Sequence, residues 1–396
     1  MYKKITANMP KFFLTVIFII FLIGCKPPDY LNHKAPKSNP IIFAPNVISV
    51  VGRFEHGISF SPDNQEVVFG ILSNNDLSGQ IYHSEKIKNK WSEPIPFEPL
   101  KNLNVYLPYF TPDGRSLLYA YSEDKEDNSN TNIGILIKAN GHWEKSKPLS
   151  EQINSRFREG NVSMTLDRTI YFSSNRGCEG KDNCHQADLY FSKKSEDGYQ
   201  EVHPILELNS VKDEESVFVS PNEDYIIFCN YTGDETGADL YISYKTFNNN
   251  WTQPIMIDST INSKDWDRRP YVTFDSRFLF FTRLKIDQDG LKESDIYWVN
   301  TSKLFKPFEY KPVKPIVARK DFRFEIDFPK DFFKDIDSDK LKYEIIDNQY
   351  DWLKFDPNKL KISGTPIKVG TFEVTISAKD KHGNRSNGTI TFTVVD

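Results

Sequence analysis

Acidic side chains recur at one position of a long internal repeat. Five residues before Phe60, Phe110, Met164, Val219 and Val272 stand Glu55, Val105, Glu159, Glu214 and Asp267, four acids in five places. Arg158, Glu215, Arg268 and Arg269 adjoin them. Two carboxyl groups roughly 5 to 9.5 Å apart can cleave a glycosidic bond, one as acid and one as base or nucleophile. Converging charge in a concave site can equally hold a ligand without turning it over. A third use is structural, each acid clasping a neighbouring backbone group or an Arg. Other hydrolytic chemistries find no support. The seven histidines, at 33, 56, 83, 142, 185, 203 and 382, form no His-x-x-x-His pair, and no Gly-x-Ser-x-Gly elbow occurs.

The repeat also specifies the elements that must position these groups. Phe60-Ser-Pro-Asp63, Phe110-Thr-Pro-Asp113, Met164-Thr-Leu-Asp167, Val219-Ser-Pro-Asn222 and Val272-Thr-Phe-Asp275 begin 50, 54, 55 and 53 residues apart. Each is followed by a polar turn and an apolar run such as Val67-Val68-Phe69 or Ile226-Ile227-Phe228, then by a third strand such as Asp188-Leu-Tyr190 or Asp295-Ile-Tyr297. Pro fixes φ while Asp and Gly tolerate turn geometry, so each copy reads as a hairpin. In four copies an aromatic then precedes Pro and an apolar pair, which suits an edge strand. Four short strands at this period predict β-propeller blades. We expect five, with six as the alternative, and Pro40-Ile-Ile-Phe43 to supply the strand missing from the last copy and close the ring. If the innermost strands run beside the channel, the acidic column would ring one mouth.

Composition agrees with an all-β chain. Of 396 residues 14% are aromatic, and 30 Phe and 19 Tyr far outnumber 4 Met, a bias that suits strands. Lys3, Lys4 and Lys11 precede an apolar run from Phe12 to Ile23, which is the layout of a secretory signal and too short to span a bilayer. Residues 25–40, with Pro27, Pro28, Pro36 and Pro40, read as a semi-rigid tether. The net charge is −5, without basic runs, which argues against nucleic acid. Cys178 and Cys184 are close enough for a small disulfide-closed loop in an oxidising compartment, and Cys229 reads as a buried apolar residue.

Past Asp295 the repeat spacing ends. After Pro307, Pro312 and Pro315 a new alternation begins at Phe322, with Phe372, Val374, Ile376 and Ala378 facing one way and Ile390, Phe392 and Val394 repeating the pattern. Such strands bury one face and predict a β-sandwich.

Three resemblances follow from these residues. Leu22-Ile23-Gly24-Cys25 resembles the lipobox of bacterial lipoproteins, which implies a lipid on Cys25 and a place in the bacterial cell envelope, at the outer membrane. The Phe-Ser-Pro-Asp and Phe-Thr-Pro-Asp-Gly copies resemble TolB-like, WD-type propeller repeats. Phe333-Lys-Asp-Ile-Asp-Ser-Asp339, Trp352-Leu-Lys-Phe355-Asp356, Ile362-Ser-Gly-Thr-Pro366 and Ala378-Lys-Asp380-Lys-His-Gly383 resemble dystroglycan-type, cadherin-like domains of the immunoglobulin fold. The last resemblance implies calcium, with Asp335, Asp337, Asp339 and Asp380 as oxygen ligands; a solvated acidic turn is the alternative.

The expected organisation is therefore a signal peptide at 1–24, a tether at 25–40, a propeller at 41–309 and an immunoglobulin-like sandwich at 310–396. The expected function is a non-catalytic scaffold, lipid-anchored, whose propeller docks an envelope protein or a glycan through Glu55, Glu159, Glu214, Asp267, Arg158, Arg268 and Arg269. The alternative is a carboxylate-dependent glycoside hydrolase or lyase acting at the central cavity.

Overall fold

The computed structural model describes residues 30–73, 78–124, 130–181, 184, 186–231, 237–287 and 290–396. Cys25 and the signal segment lie outside the described residues. Among the described residues there are strands and three short 3-10 turns, with no α-helix. The all-β expectation is met.

The repeats fold as antiparallel meanders. In the first, Phe54–Phe60, Glu66–Leu72, Gly79–Ile87 and Ile95–Pro96 pair in order. The next three follow suit, with inner strands Asn104–Phe110, Glu159–Met164 and Asp213–Val219. The last comprises Trp266–Val272, Phe278–Asp287 and Gly290–Asn300, and its fourth strand comes from the other end of the chain. Ile41 pairs with Trp298 and Ile42 with Tyr297, antiparallel, as the Pro-apolar pattern at 40–43 predicts.

The repeated Asp explains its own recurrence. Ser61, Thr111 and Thr273 donate their hydroxyls to Asp63, Asp113 and Asp275 at 2.6, 2.7 and 2.6 Å, and Thr165 does the same to Asp167. The same carboxylates accept the backbone N–H of Gln65, Arg115, Thr169 and Arg277 at 3.0–3.1 Å. Side-chain bonds of this kind supply the turn that reverses the chain into the second strand.

Each inner strand also carries a bulge three residues before its last apolar position. Register shifts fall between His56 and Ile58, Tyr106 and Tyr109, Gly160 and Ser163, Glu215 and Phe218, and Arg268 and Tyr271. The bulged residues Gly57, Leu107, Asn161, Ser216 and Arg269 all have φ between 52° and 73°. A bulge bends its strand and re-aims the side chains around it.

An aromatic cluster fills the seam where the ends of the chain meet. Phe43 stands edge-on to Phe280 at 4.9 Å and to Trp298 at 5.1 Å, and all three are buried. Tyr30 and Leu31, within the stretch expected to be a tether, are buried too, Tyr30 lying edge-on to Phe60 and Phe278. These two apolar side chains gain more by packing than by remaining in water.

In the C-terminal module Ile316–Arg319, Arg385–Val395, Gly370–Lys379 and Lys342–Asp347 form one sheet, and Phe324–Asp327, Lys361–Gly364 and Leu353–Asp356 the other. Val374, Ile376, Ala378, Ile390 and Phe392 are buried between them, on the face that the alternation predicts. The module is joined to the propeller by an apolar hinge, Phe308 stacking on Tyr244 at 4.4 Å, and by Asn384, whose amide donates to the carbonyls of Ser302 and Phe305 at 3.0 and 2.9 Å.

Candidate functional site

The acidic column is structural. Glu55, Glu159, Glu214 and Asp267 are all fully buried, and none lines the axial cavity. Glu159 accepts from the Ser155 backbone and hydroxyl at 2.8 and 2.6 Å, from the Ser174 hydroxyl at 2.9 Å and from Arg176 at 3.0 Å. Glu214 takes the same bonds from Ser210 at 3.1 and 2.5 Å, and one from the Asn230 amide at 3.0 Å. Asp267 takes them from Ser263 at 2.6 and 2.9 Å and from Arg283 at 2.7 Å. Glu55 pairs with Arg53 at 2.6 Å. The expectation that these four acids ring a channel mouth is thus corrected. Alternation along the inner strand sends their column into the protein, where each ties the incoming loop to the strand.

The adjoining columns face the axis instead. His56, Tyr106, Gly160, Glu215 and Arg268, one place later, line a cavity of about 100 Å³ together with Arg158, Asn161 and Arg269. A water needs on the order of 10–15 Å³ of such space, so the cavity has room for a sizeable part of a ligand. Of the expected site residues it thus gathers the three arginines. The strand direction brings in Glu215, and the bulge brings in Asn161 and Arg269.

Charge is concentrated there. Glu215 is 4% exposed. It pairs with Arg158, with Arg268 at 3.1 Å and with Arg269 at 3.5 Å, and accepts from the Tyr231 hydroxyl at 3.2 Å. Burial would raise its pKa, but the three guanidinium groups outweigh that and hold the carboxyl far below the usual range. Arg269 also donates to Ser216 at 2.6 Å, to Asn161, and through Nε to Nε2 of His56 at 2.9 Å. Burial, with Arg269 and Arg268 nearby, pushes the imidazole pKa well down, so His56 is neutral. Because Nε2 accepts, the hydrogen is on Nδ1, and that buried atom has no partner among the described residues.

A second cluster lies beside the domain junction. Carboxylate oxygens of Asp335, Asp337 and Asp380 come within 4.8 Å of one another. Asp335 Oδ2 and Asp337 Oδ1 are buried without a hydrogen-bond partner among the described residues. Asp380 is occupied by the backbone of His382 and Asn384 at 2.9 and 2.7 Å, and by the Asn384 amide. Asp339, expected to join them, is exposed and outside the cluster. Oxygen donors with unmet lone pairs fit a hard cation such as calcium. Cys178 and Cys184 form the expected disulfide, and Cys229 is a buried free thiol.

Residues 306–395 match the family described as "Putative Ig domain". No curated protein matches the chain significantly. Among solved structures, one titled glycoside hydrolase is 11% identical, covering 72% of this chain and 96% of its own, with a TM-score of 0.45. The catalytic domain of an α-L-arabinofuranosidase from Coprinopsis cinerea is 8% identical, covering 67% and 98%, with a TM-score of 0.42. The β-propeller domain of the Trilobed protease from Pyrococcus furiosus is 12% identical, covering 61% and 78%, with a TM-score of 0.33. The protein thus combines a propeller-like body with an immunoglobulin-like domain. Two of these structures are titled as glycoside-cleaving enzymes, against the expectation of a non-catalytic scaffold. The likeness is one of overall shape, and chemistry has to be argued from the cavity itself.

Proposed function

We propose that the protein is an enzyme acting on a glycan, as hydrolase or lyase, in the axial cavity of a five-bladed propeller. The observation that carries this reading is the buried charge of Glu215 and its three arginines where the inner strands converge. Withdrawing ions from water costs several kcal/mol each, and such groups in a cleft mark functional sites. Glu215 stays ionised throughout the neutral range, so it is suited to stabilising positive charge that develops on a sugar ring and unsuited to donating a proton. Glu159 and Glu214 have no part in the chemistry, because both are spent on the clasps.

The test is turnover of a polysaccharide panel, read both as new reducing ends and as the ultraviolet absorbance of unsaturated products. Glu215→Gln should lower turnover about 100-fold, the scale of losing one preorganised electrostatic contact. If no polysaccharide is cleaved, the enzyme reading fails.

The same reading places the chain at the bacterial cell envelope, held to the outer membrane by lipid on Cys25, with a TolB-like propeller and a cadherin-like C-terminal domain. Calcium is its proposed cation, held by Asp335, Asp337 and Asp380, where it would satisfy the two orphan oxygens. A ligand that binds only the native state raises its stability, by about 2.7 kcal/mol at a hundred times Kd. Thermal melts should therefore rise in calcium relative to chelator, and Asp335→Asn should abolish the difference. Identical melts in calcium and chelator would remove calcium from the reading.

A further inference from the structure

We infer that the axial cavity is blind and takes only the end of a glycan chain, so that the enzyme releases terminal units, with Arg269 as the residue that forms the floor. This rests on the reading of the cavity as a glycan-cleaving site, and three observations bear on it.

The first is a bar across the axis. Arg269 is the bulged residue of the fifth inner strand, which runs beside those of the fourth and the first repeats. Its guanidinium donates to Ser216 of the fourth at 2.6 Å and to His56 of the first at 2.9 Å, and it also reaches Asn161 of the third, on the far side of the axis. The Leu107 side chain of the second lies against Gly57 of the first, 3.4 Å from where a Cβ would stand. The five bulges thus meet at one level. A planar guanidinium, with N–H groups in a fixed fork, can hold three such partners at once.

The second is the space beneath. One position further along each inner strand, Ile58, Pro108, Val162, Val217 and Pro270 are all buried and line a lower space of about 40 Å³. The tyrosines beside them have their hydroxyls engaged, Tyr109 donating to the carbonyl of Met164 at 3.0 Å and Tyr271 to that of Phe60 at 3.1 Å. A sugar carries a hydroxyl on most of its carbons, and burying these among apolar side chains without partners is strongly unfavourable. The lower space therefore excludes a glycan chain even where the bar yields.

The third is depth. Glu215 stands 3.5 Å from Arg269, so the charged centre lies directly on the floor. Little more than a terminal unit fits between that floor and a bond brought to Glu215. An internal sugar would have to send both of its neighbours back through the one open end, whereas a chain end sends one. In either chemistry, water added across the C–O bond or a ring proton eliminated as that bond breaks, one terminal unit leaves per event.

Binding and product length test this separately on the full chain. The probes are linear hexamers of xylose, arabinose, galactose, mannose, glucose and galacturonate, each unlabelled and with a bulky fluorophore on one end, the other end or both. At least one hexamer should bind in calorimetric titration, with a fluorophore on one of its ends weakening it at least about tenfold and one on the other end changing it less than about twofold. On the matching polymer, product should accumulate from the start as mono- or disaccharide, with viscosity nearly constant. Arg269→Ala removes the bar and should lengthen the released unit and reduce the fluorophore penalty. Asn161→Gly, which removes only the far partner at a position whose φ of 52° suits glycine, should act in the same direction. Melts of both variants exclude misfolding as the cause. Equal affinity with both ends blocked, binding by no hexamer, or two folded variants that leave product length and end discrimination unchanged would each overturn the inference. Binding of chain ends without cleavage would overturn the enzyme reading alone. Products of mixed length with a rapid fall in viscosity would overturn this one alone.

Discussion

Glu214 and Glu215 are neighbours in sequence with opposite surroundings. Burial pushes Glu214 up to about 7, against the bonds from Ser210, while the arginines hold Glu215 far below its ordinary value. Glu55 is likewise raised to about 7 and Asp295 to about 6, burial being the largest cause in each. Between pH 4.5 and 7 the native state therefore binds more protons through these groups than the unfolded chain does, and stability falls as pH rises. Glu215 has the opposite sign. Its contribution is complete above the unfolded value near 4.5 and is lost as pH falls below it. Melting temperature should thus rise on going from pH 7.5 to 5 and drop in stronger acid, and Glu214→Gln should flatten the upper limb; a melt unchanged from pH 7.5 to 5 would refute the assignment. Removing a clasp acid is a separate matter. Glu159→Ala leaves Arg176 unpaired and should cost about 3 kcal/mol in urea unfolding. The site was half legible at this scale. The arginines stood out as charges near the repeat, but alternation places consecutive residues on opposite faces, so an acidic column read one residue early is a column of clasps. Asn154-Ser155, Asn209-Ser210 and Asn262-Ser263, each four to five residues before its acid, were the available sign that the acids serve the loop.

Among the elements, the turns were legible and the bulges were not. Ser/Thr-x-Asp bonds are local, so the sequence repeats wherever the turn does. The bulge recurs five times with Gly57, Leu107, Asn161, Ser216 and Arg269, which share a backbone conformation and no chemistry. Only Gly57 adopts it without a Cβ penalty. With φ at +73° and an added Cβ 3.4 Å from Leu107, Gly57→Ala should destabilise by about 1–2 kcal/mol. The closing strand carries a larger load. Phe43→Ala empties a fully buried position among Phe60, Phe280 and Trp298, and about 3–5 kcal/mol should be lost in denaturant titration. A loss below 1 kcal/mol would mean that the ring closes without it.

At the scale of the molecule, two domains recognisable from repeat and alternation meet through contacts that neither pattern could announce. Asn384 donates to two propeller carbonyls while also bonding Asp380, so the candidate cation site and the junction share a residue. Asn384→Ala should lower the melting temperature, by about 1–3 kcal/mol of lost pairing, and blunt any response to calcium. The ring seam has a mechanical corollary as well. A pull exerted on residue 30 would first have to extract the Tyr30 ring from between Phe60 and Phe278, and would then reach a short seam in which the Lys37 carbonyl accepts from Asn300, Ile41 and Ile42 pair with Trp298 and Tyr297, and the Phe43 N–H donates to Ile296. Tension at this end would thus peel the last meander open from its outer edge, and Tyr30 and Leu31 are the latch that takes the strain before it does.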